Sequence, residues 1–409
     1  MLYQYIQNLS ARLFNELKNN EELNLLLHSE ESDFLRFNHA QVRQNTTVQQ
    51  HELLMVYQIP QRNYKKTMTL SLDLEKDFAS LKNTIESLRN FLPQIEENPK
   101  VVSFENHGIS KVIKTTDRPP TAKILPVITK AFAKSDMVGF WASGPIRKAS
   151  LNSKGQFHYF ENDTFFFDYS VYNGPRAAKG FYSEDSWHEP RFLAQAQQTQ
   201  NTLALLTRPQ IQVKPNAYRA YLEPMAVAEI MGIFNWRAVS RSSYEQGFAP
   251  LKKLVQKEKL FSPLFTLIED NQLGLDTHFN SIGEIPANQT TLIENGEFRQ
   301  FLTSTATAQE YKVLSNQADP SESMRSFEVR AGTLNQNDVL KKLDHGLYIS
   351  NLHYINWSDV QTARITGMTR FACFWVEKGE IVGPIQDLRF DDSLFNLFGP
   401  SLAELTAPI

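Results

Sequence analysis

The segment Tyr221–Trp236, YLEPMAVAEIMGIFNW, contains the residues whose types and spacing come closest to metal chemistry. Its pattern predicts a helix that begins at Glu223-Pro224 and carries Glu229. A zinc peptidase helix places one histidine beside such a glutamate and a second histidine about one turn further on. Ala228 and Ile233 occupy those two positions, and neither side chain can bind a metal. The segment therefore predicts a helical carboxylate without metal ligands.

Three histidines offer a second set of possible ligands. His345 and His353 lie on either side of a predicted strand, GLYISNL, and His278 lies in a predicted loop. With Asp344 and Asp359 they would form a metal site if the fold brought them together. Their spacing is not that of a ligand motif, and histidines at the surface or in internal hydrogen bonds are far commoner. The role of these histidines stays open.

Two further segments contain groups that take part in catalysis in other proteins. His188-Glu189 begins like a metallopeptidase signature, but Pro190 follows and no second histidine lies within a turn. We interpret it as a loop before a helix. Cys373 has apolar neighbours and no nearby His or Lys that would favour its thiolate. This environment predicts a buried packing residue rather than a nucleophile.

Arg36, Asn38 and Arg43, on the first predicted strand, form a candidate substrate-binding set. Their side chains could bind the carboxylate or the backbone of a peptide. A solvated strand face explains the same residues about equally well, so both interpretations remain. Phosphate-binding loops of the G-x-G-x-x-G or G-x-x-x-x-G-K-[ST] type are absent from the sequence, and so is the G-x-S-x-G turn of serine hydrolases.

The composition is that of a folded protein with two or three domains. The chain has 409 residues, of which 41% are hydrophobic and 21% charged, and its net charge is −3. Lysine and arginine are scattered without a basic stripe, so no nucleic-acid partner is expected. The longest apolar runs are strand-sized and predict no membrane span. The single cysteine and the lack of a signal-like start favour a cytoplasmic location.

The element pattern predicts an α+β fold that begins with a helix, three mostly antiparallel strands and a second helix. Apolar residues at helical spacing predict the first helix within residues 2–27. Strands are expected over 33–44, Leu53–Ile59 and Thr67–Leu74, where apolar and polar residues alternate. The second helix is predicted by five apolar residues on one face, Phe78, Leu81, Ile85, Leu88 and Leu92.

The remaining pattern predicts a helix over Pro120–Phe132, strands over 137–172, a helix over Arg191–Leu206 and another over 224–236. The run Phe165-Phe166-Phe167 is interpreted as a strand buried on both faces rather than as a platform for nucleic-acid bases. Recurrent turn signals then predict a mostly β C-terminal half. The expected domains are an N-terminal α/β domain at 1–115, a middle region at 116–212 and a C-terminal β-rich domain at 213–409.

Six segments follow one another along the chain in a distinctive order and spacing. They are RFNHAQVRQ (Arg36–Gln44), ASLNSKG (Ala149–Gly155), TTLIENGEFRQFLTSTATA (Thr290–Ala308), GLYISNL (Gly346–Leu352), ITGMTRFACFWVEKGEIVGPIQDLRF (Ile365–Phe390) and DSLFNLF (Asp392–Phe398). Together these segments resemble the TldD/PmbA family, known as modulators of gyrase and as zinc-peptidase subunits. No single motif is specific alone, and FWVEKGEI is most similar to the PmbA branch, also called TldE.

The resemblance implies a fold with an N-terminal α/β domain, a middle region with β-hairpins and a mostly β C-terminal domain. It also implies a chemistry, because the TldD branch carries His-Glu-x-x-x-His on a helix and a later cysteine as zinc ligands. Here Ala228, Glu229 and Ile233 stand at the key motif positions, and Cys373 lies before the place of the ligand cysteine. The PmbA branch also lacks the motif. We therefore expect no cofactor on this chain and zinc in a partner subunit.

Three hypotheses for the function follow. The first, implied by the resemblance, is a non-catalytic PmbA/TldE-like subunit that pairs with a zinc-bearing, TldD-like subunit and assists the proteolysis of unfolded peptides. The second is a non-catalytic binding or assembly protein that forms homodimers. The third is an independent metalloenzyme with unrecognised ligands such as His278, His345 and His353.

Overall fold

A computed structural model describes residues 2–98 and 101–408 of the chain. The fold is α+β with mainly antiparallel sheets, as predicted. Ten α-helices are present in the described residues: α1 Leu2–Asn15, α2 Leu74–Phe91, α3 Thr121–Ala131, α4 Glu189–Leu205, α5 Pro224–Ile233, α6 Arg241–Glu245, α7 Lys252–Val255, α8 Thr305–Tyr311, α9 Val339–Leu343 and α10 Leu394–Leu397.

Eighteen strands accompany these helices within the same residues. The first seven, in the N-terminal half, are β1 Glu22–Asn38, β2 Gln41–Ile59, β3 Arg62–Thr69, β4 Ile109–Lys114, β5 Asp136–Asn152, β6 Phe157–Asn173 and β7 Arg176–Tyr182. The others are β8 Ala220–Leu222, β9 Leu267–Asp270, β10 Gln289–Glu294, β11 Glu297–Phe298, β12 Phe327–Val329, β13 Gly346–Ile349, β14 Asn351–Asp359, β15 Arg364–Arg370, β16 Phe374–Glu377, β17 Glu380–Pro384 and β18 Arg389–Ser393.

The first seven strands form one sheet in the order β3-β2-β1-β5-β6-β4, with β7 also paired to β6. All of its pairs are antiparallel except β4 with β6. The long central strands β1, β5 and β6 keep a regular register with one another, so alternate residues along them face opposite sides of the sheet. We call this the large sheet.

Four helices cover one face of the large sheet, which we call the covered face. At one end of β1, Leu23, Leu25 and Leu27 pack with apolar residues of α1 and α2. At the other end, Leu35 and Phe37 pack with α3 and α4. All five residues have odd numbers on an unbroken strand, so both helix pairs lie on the same side of the sheet.

The opposite face of the large sheet is contacted by the C-terminal half at one end. Asn24 Nδ2 donates to Ser281 O over 3.5 Å, and Gln156 Nε2 donates to Ile282 O over 3.1 Å. Lys148 Nζ lies 2.6 Å from a carboxylate oxygen of Asp276. The segment 276–283 therefore closes this end of the second face, while the end near Arg36 is left open.

The C-terminal half has three smaller sheets around a separate apolar core. Their strand orders are β11-β10-β9-β12, β17-β16-β13-β8 and β14-β15-β18. The core joins α5 to the strands and to the closing helix through buried residues such as Ile230, Phe265, Ile349 and Leu394. This arrangement confirms the predicted β-rich C-terminal half.

Three predicted elements near the N-terminus were wrong in extent, the first helix, the strand over 33–44 and the strand over Thr67–Leu74. The first helix ends at Asn15 rather than extending toward residue 27, because β1 already begins at Glu22. The predicted strand over 33–44 is two strands, since His39 and Ala40 adopt positive φ and turn the chain between β1 and β2. The third strand ends at Thr69, and Asp73 caps α2 by accepting a hydrogen bond from Lys76 N.

The predicted helices over Pro120–Phe132 and Arg191–Leu206 correspond to α3 and α4. The division of the chain into regions 1–115, 116–212 and 213–409 stays a prediction, although strands from both sides of residue 115 pair in the large sheet. Among the described residues, no helix combines the length and the apolar character needed to cross a membrane.

Candidate functional site

Helix α5 has one buried face and one exposed face. Pro224 occupies its first turn, where a missing backbone N–H costs nothing. Ala226, Ile230, Met231 and Ile233 face the C-terminal core. The exposed face carries Met225, Ala228, Glu229, Gly232 and, beyond the helix end, Trp236.

The two positions that a zinc helix would need have different environments. Ala228 is exposed beside the exposed Glu229, whereas Ile233 is only 3% exposed and packs in the C-terminal core. Within residues 2–98 and 101–408, no group of three or more His, Cys, Asp or Glu side chains has an arrangement that could hold a metal ion. The residues present on α5 therefore do not fit zinc.

Glu229 faces a small charged group on the neighbouring strands. Helix α5 packs against β14, which carries His353. His353 Nδ1 lies 3.2 Å from a guanidinium nitrogen of Arg370, at the end of β15. Partial burial and the Arg370 charge lower the pKa of His353, while Asp387 and Glu229 oppose that shift. The exposed carboxylate of Glu229 thus lies within electrostatic reach of the His353 imidazole, which in turn contacts the Arg370 guanidinium.

A series of contacts connects this charged group with the large sheet. The Arg370 guanidinium lies over the Phe371 ring, 4.8 Å from its centroid, and Lys179 Nζ approaches the same ring at 5.9 Å. Lys179, on β7, forms an ion pair with Asp168 on β6. Phe371 has a positive φ of 64°, so the chain bends sharply at this point. Contacts between successive residues therefore link Arg370 to Asp168.

Asp168 lines an open cleft of about 400 Å³ on the second face of the large sheet. Arg36 and Gln44 are paired across β1 and β2, and Arg36 is also paired with Phe140 on β5. We call this the aromatic cleft. Its lining residues are Phe34, Arg36, Gln44, Val138, Gly139, Phe140, Asp168, Ser170 and Tyr172.

A row of phenylalanine rings extends through the aromatic cleft and beyond it, across four strands. The ring centroids of Phe34 and Phe140 lie 5.9 Å apart, those of Phe140 and Phe166 5.1 Å, and those of Phe166 and Phe181 6.0 Å. These separations are within the range of favourable aromatic pairs. All four rings keep some solvent exposure, which reaches 37% for Phe181.

The predicted substrate-binding residues lie at this end of the sheet and are all exposed. Arg36 lines the aromatic cleft, whereas Asn38 is paired with Gln41 beside the hairpin turn. Arg43 lies at a β-bulge, because the register shifts between Arg36 and Phe37. The structure thus places Arg36 at a cleft, and substrate binding by the three residues stays a prediction.

The three candidate histidines have separate partners. His345 packs edge-on against Trp375, with centroids 4.8 Å apart, and His353 contacts Arg370. His278 Nε2 lies 2.7 Å from Ser110 Oγ, which also lies 2.7 Å from Nδ1 of the fully buried His158. Burial, together with the charges of His278 and His107, lowers the pKa of His158 to about 4.

Two other predictions about candidate residues are confirmed. His188 precedes the first turn of α4 at its N-cap position, with Pro190 inside that turn. Cys373 is 4% exposed, packs in the C-terminal core and donates to Arg370 O over 3.3 Å. Burial raises the pKa of its thiol, which disfavours a nucleophilic thiolate.

Comparison with known proteins supports the resemblance found in the sequence. A family model described as the PmbA/TldA metallopeptidase C-terminal domain matches residues 215–406. This match, over just under half of the chain, supports membership of the TldD/PmbA family. A search among curated protein sequences finds no match.

Solved structures share the fold of this chain over nearly its whole length. TldE from Thermococcus kodakarensis has a TM-score of 0.74 and 17% identity, covering 97% of this chain and 92% of that one. A provisionally named modulator of DNA gyrase from Bacteroides thetaiotaomicron has a TM-score of 0.77 and 16% identity, over 97% and 92%. Another, from Thermotoga maritima, has a TM-score of 0.74 and 16% identity, over 98% and 94%.

Several residues of the phenylalanine row were not identified from the sequence. Phe34, Phe140 and Phe181 come from three strands far apart in the chain, and no local motif marks them. Phe166 could have been identified by strand alternation, because its neighbours Phe165 and Phe167 are 2% and 0% exposed. The prediction that this run is buried on both faces was therefore wrong. Phe165 and Phe167 contribute to the core on the covered face, whereas Phe166 lies on the second face and is partly exposed.

Proposed function

We propose that this chain is a PmbA/TldE-like subunit of a two-subunit peptidase and assists a zinc-bearing, TldD-like partner in the proteolysis of unfolded peptides. The proposal depends on one observation, the environment of the residues on α5. In a chain of a metallopeptidase-related family, Ala228 offers no donor atom and Ile233 is 3% exposed in the apolar core. The metal chemistry would then belong to the partner.

The contribution of this chain would be to hold substrate beside the partner's site. Glu229 remains exposed, and contacts from Arg370 through Phe371 and Lys179 lead to Asp168 in the aromatic cleft. Extended peptides bind well to surfaces that combine apolar pockets with a few charged groups. This surface has both features.

The direct test is co-expression of the chain with a TldD-like homologue that carries His-Glu-x-x-x-His. We expect a stable complex that hydrolyses an unstructured peptide faster than the homologue alone. A matched control uses the homologue with both motif histidines replaced by alanine, for which we expect no hydrolysis with or without this chain. Absence of a complex, together with no gain in hydrolysis, would refute the proposal.

Sedimentation of the purified chain separates this proposal from the homodimer hypothesis. A mixture with the homologue should sediment as a heterodimer at the expense of any self-associated species. If the chain forms a stable homodimer that does not exchange with the homologue, the assembly-protein hypothesis is favoured instead. Stoichiometric metal in the isolated chain would favour the third hypothesis, an independent metalloenzyme.

A further inference from the structure

The aromatic cleft differs from the rest of the large sheet in leaving apolar rings without a covering element. On the covered face, every helix pair buries the rings beneath it, and Phe37, Trp141 and Phe167 are fully buried. Phe34, Phe140 and Phe166 on the second face remain partly exposed although their rings contact one another. The rings therefore provide apolar area that a ligand can bury.

The charges in the aromatic cleft favour a ligand with a negative group at one end. The guanidinium of Arg36 is exposed and forms no ion pair within the described part of the chain. Asp168, at the other side of the cleft, is already paired with Lys179. An arginine that lacks an acidic partner can form charge-assisted hydrogen bonds with a carboxylate of the ligand.

The same charges argue against a nucleic acid. A backbone of phosphates needs several cations along its path, whereas Arg36 is the only basic residue among those that line the cleft, and Asp168 lines it too. The net charge of the chain, −3, also opposes a polyanion. A peptide with apolar side chains and a single carboxylate complements the cleft better.

We propose that the aromatic cleft binds an extended peptide in which aromatic or large aliphatic side chains flank an acidic side chain, with the acidic carboxylate paired to Arg36. The proposal deepens the proposed function and rests on it for the origin of the peptide. It names the sequence preference that this chain would add to the complex. Binding itself is a property of the isolated chain and needs no partner.

The test is fluorescence anisotropy with the purified full-length chain and a short labelled peptide. The peptide contains two phenylalanines and a glutamate, and its C-terminus is amidated so that the glutamate supplies its only carboxylate. We expect saturable binding that weakens severalfold when the peptide glutamate is replaced by glutamine. We expect Phe140→Ala to weaken binding about tenfold, because it removes the central ring of the row.

Arg36→Gln tests the charge pairing with the peptide glutamate more directly. It should weaken binding of the glutamate peptide to the level of the glutamine peptide, so that the chain no longer distinguishes the two. Phe91→Ala and Arg330→Gln are matched controls, since both residues are exposed and lie outside the aromatic cleft. Circular dichroism melting of each variant establishes that it is folded, and the controls should bind like the unmodified chain.

Three outcomes would overturn the proposal. One is equal binding by the unmodified chain, Phe140→Ala and Arg36→Gln. Another is tighter binding of a single-stranded oligonucleotide than of the peptide. The third is self-association that Phe140→Ala abolishes, which would make the cleft an interface between copies. Peptide binding without a gain in partner hydrolysis would contradict the subunit role alone, so the two failures can be distinguished.

Discussion

The covered face of the large sheet and its second face, which is the open one, place phenylalanine side chains in two different environments. Phe165 and Phe167 on the covered face are 2% and 0% exposed beneath α3 and α4. Phe166, between them, is partly exposed and contacts Phe140 and Phe181 on the open face. The difference indicates that one face holds the fold together and that the other is available for binding.

Helix α5 shows the same division over a shorter distance. Ile233 is part of the C-terminal core, whereas Ala228 and Glu229 lie on the exposed side. Substitution on the buried side of either element should affect folding, and substitution on the exposed side should affect binding or partner activity. Pairs of variants at neighbouring positions test this difference between the buried and exposed sides.

Adjacent phenylalanines on β6 should give the largest contrast. We expect Phe167→Ala to lower the free energy of unfolding by about 3–5 kcal/mol, because it leaves a cavity in a core that is fully buried. Phe166→Ala should lower it by only about 1 kcal/mol, since its ring is partly exposed. Urea unfolding followed by circular dichroism measures both. Equal losses would mean that the second face is not open.

Histidine substitutions on α5 should give a contrast of similar kind. We expect Ile233→His to lower the free energy of unfolding by about 3 kcal/mol, because an imidazole would replace an apolar side chain in the core. Ala228→His, at an exposed position, should change it by no more than about 0.5 kcal/mol. Urea unfolding in the presence of a chelator gives the comparison. A stable Ile233→His variant would contradict the assigned burial.

The stability of the fold should decrease in acid because of groups at the closed end of the second face. The pKa of the buried His158 is lowered to about 4, and burial and the Arg325 charge lower the pKa of His278 beside it. Because the folded-state pKa of His158 lies below the unfolded value, the unfolded chain binds more protons as the pH falls below about 6.5. Its contribution to stability is therefore complete above that pH and is lost between about 6.5 and 4.

We expect this loss to be about 2–3 kcal/mol for His158. Urea unfolding at a series of pH values measures it, and His158→Gln should flatten the dependence. His188→Gln is the control, because the side chain of His188 is about half exposed. The assignment fails if the control and His158→Gln give the same pH profile.

The smallest effect is expected for the ion pair on the open face. Lys179→Gln should lower the free energy of unfolding by less than about 1 kcal/mol, because the pair with Asp168 is partly exposed to solvent. It should also weaken the contact with Phe371, so peptide binding is expected to change more than stability. Thermal melting and peptide titration of the same variant test this order of effects. A large loss of stability would place the pair among the groups that maintain the fold.

The fold was partly predictable from the sequence for identifiable physical reasons. The helical spacing of Leu81, Ile85 and Leu88 predicted α2, and these residues do pack against the large sheet. The turn at His39 and Ala40 was missed because two consecutive non-glycine residues adopt positive φ there, which is uncommon. Strand periodicity continued through the turn and concealed it.

The candidate site was less predictable than the fold. The positions Ala228, Glu229 and Ile233 were identified through the family resemblance, but only the structure shows that they have different environments. The aromatic cleft depends on the register of β1, β5 and β6, which brings Arg36, Phe140 and Asp168 into one row. Such long-range pairing cannot be read from local periodicity.

The central claim is that this chain assists proteolysis without carrying the metal. Its most direct test is peptide hydrolysis measured for the chain alone, for the zinc-bearing homologue alone and for their mixture, with zinc determined in each sample. We expect no zinc and no turnover for the chain alone, and a rate of hydrolysis for the mixture above that of the homologue. Turnover by the isolated chain with stoichiometric bound zinc would contradict it.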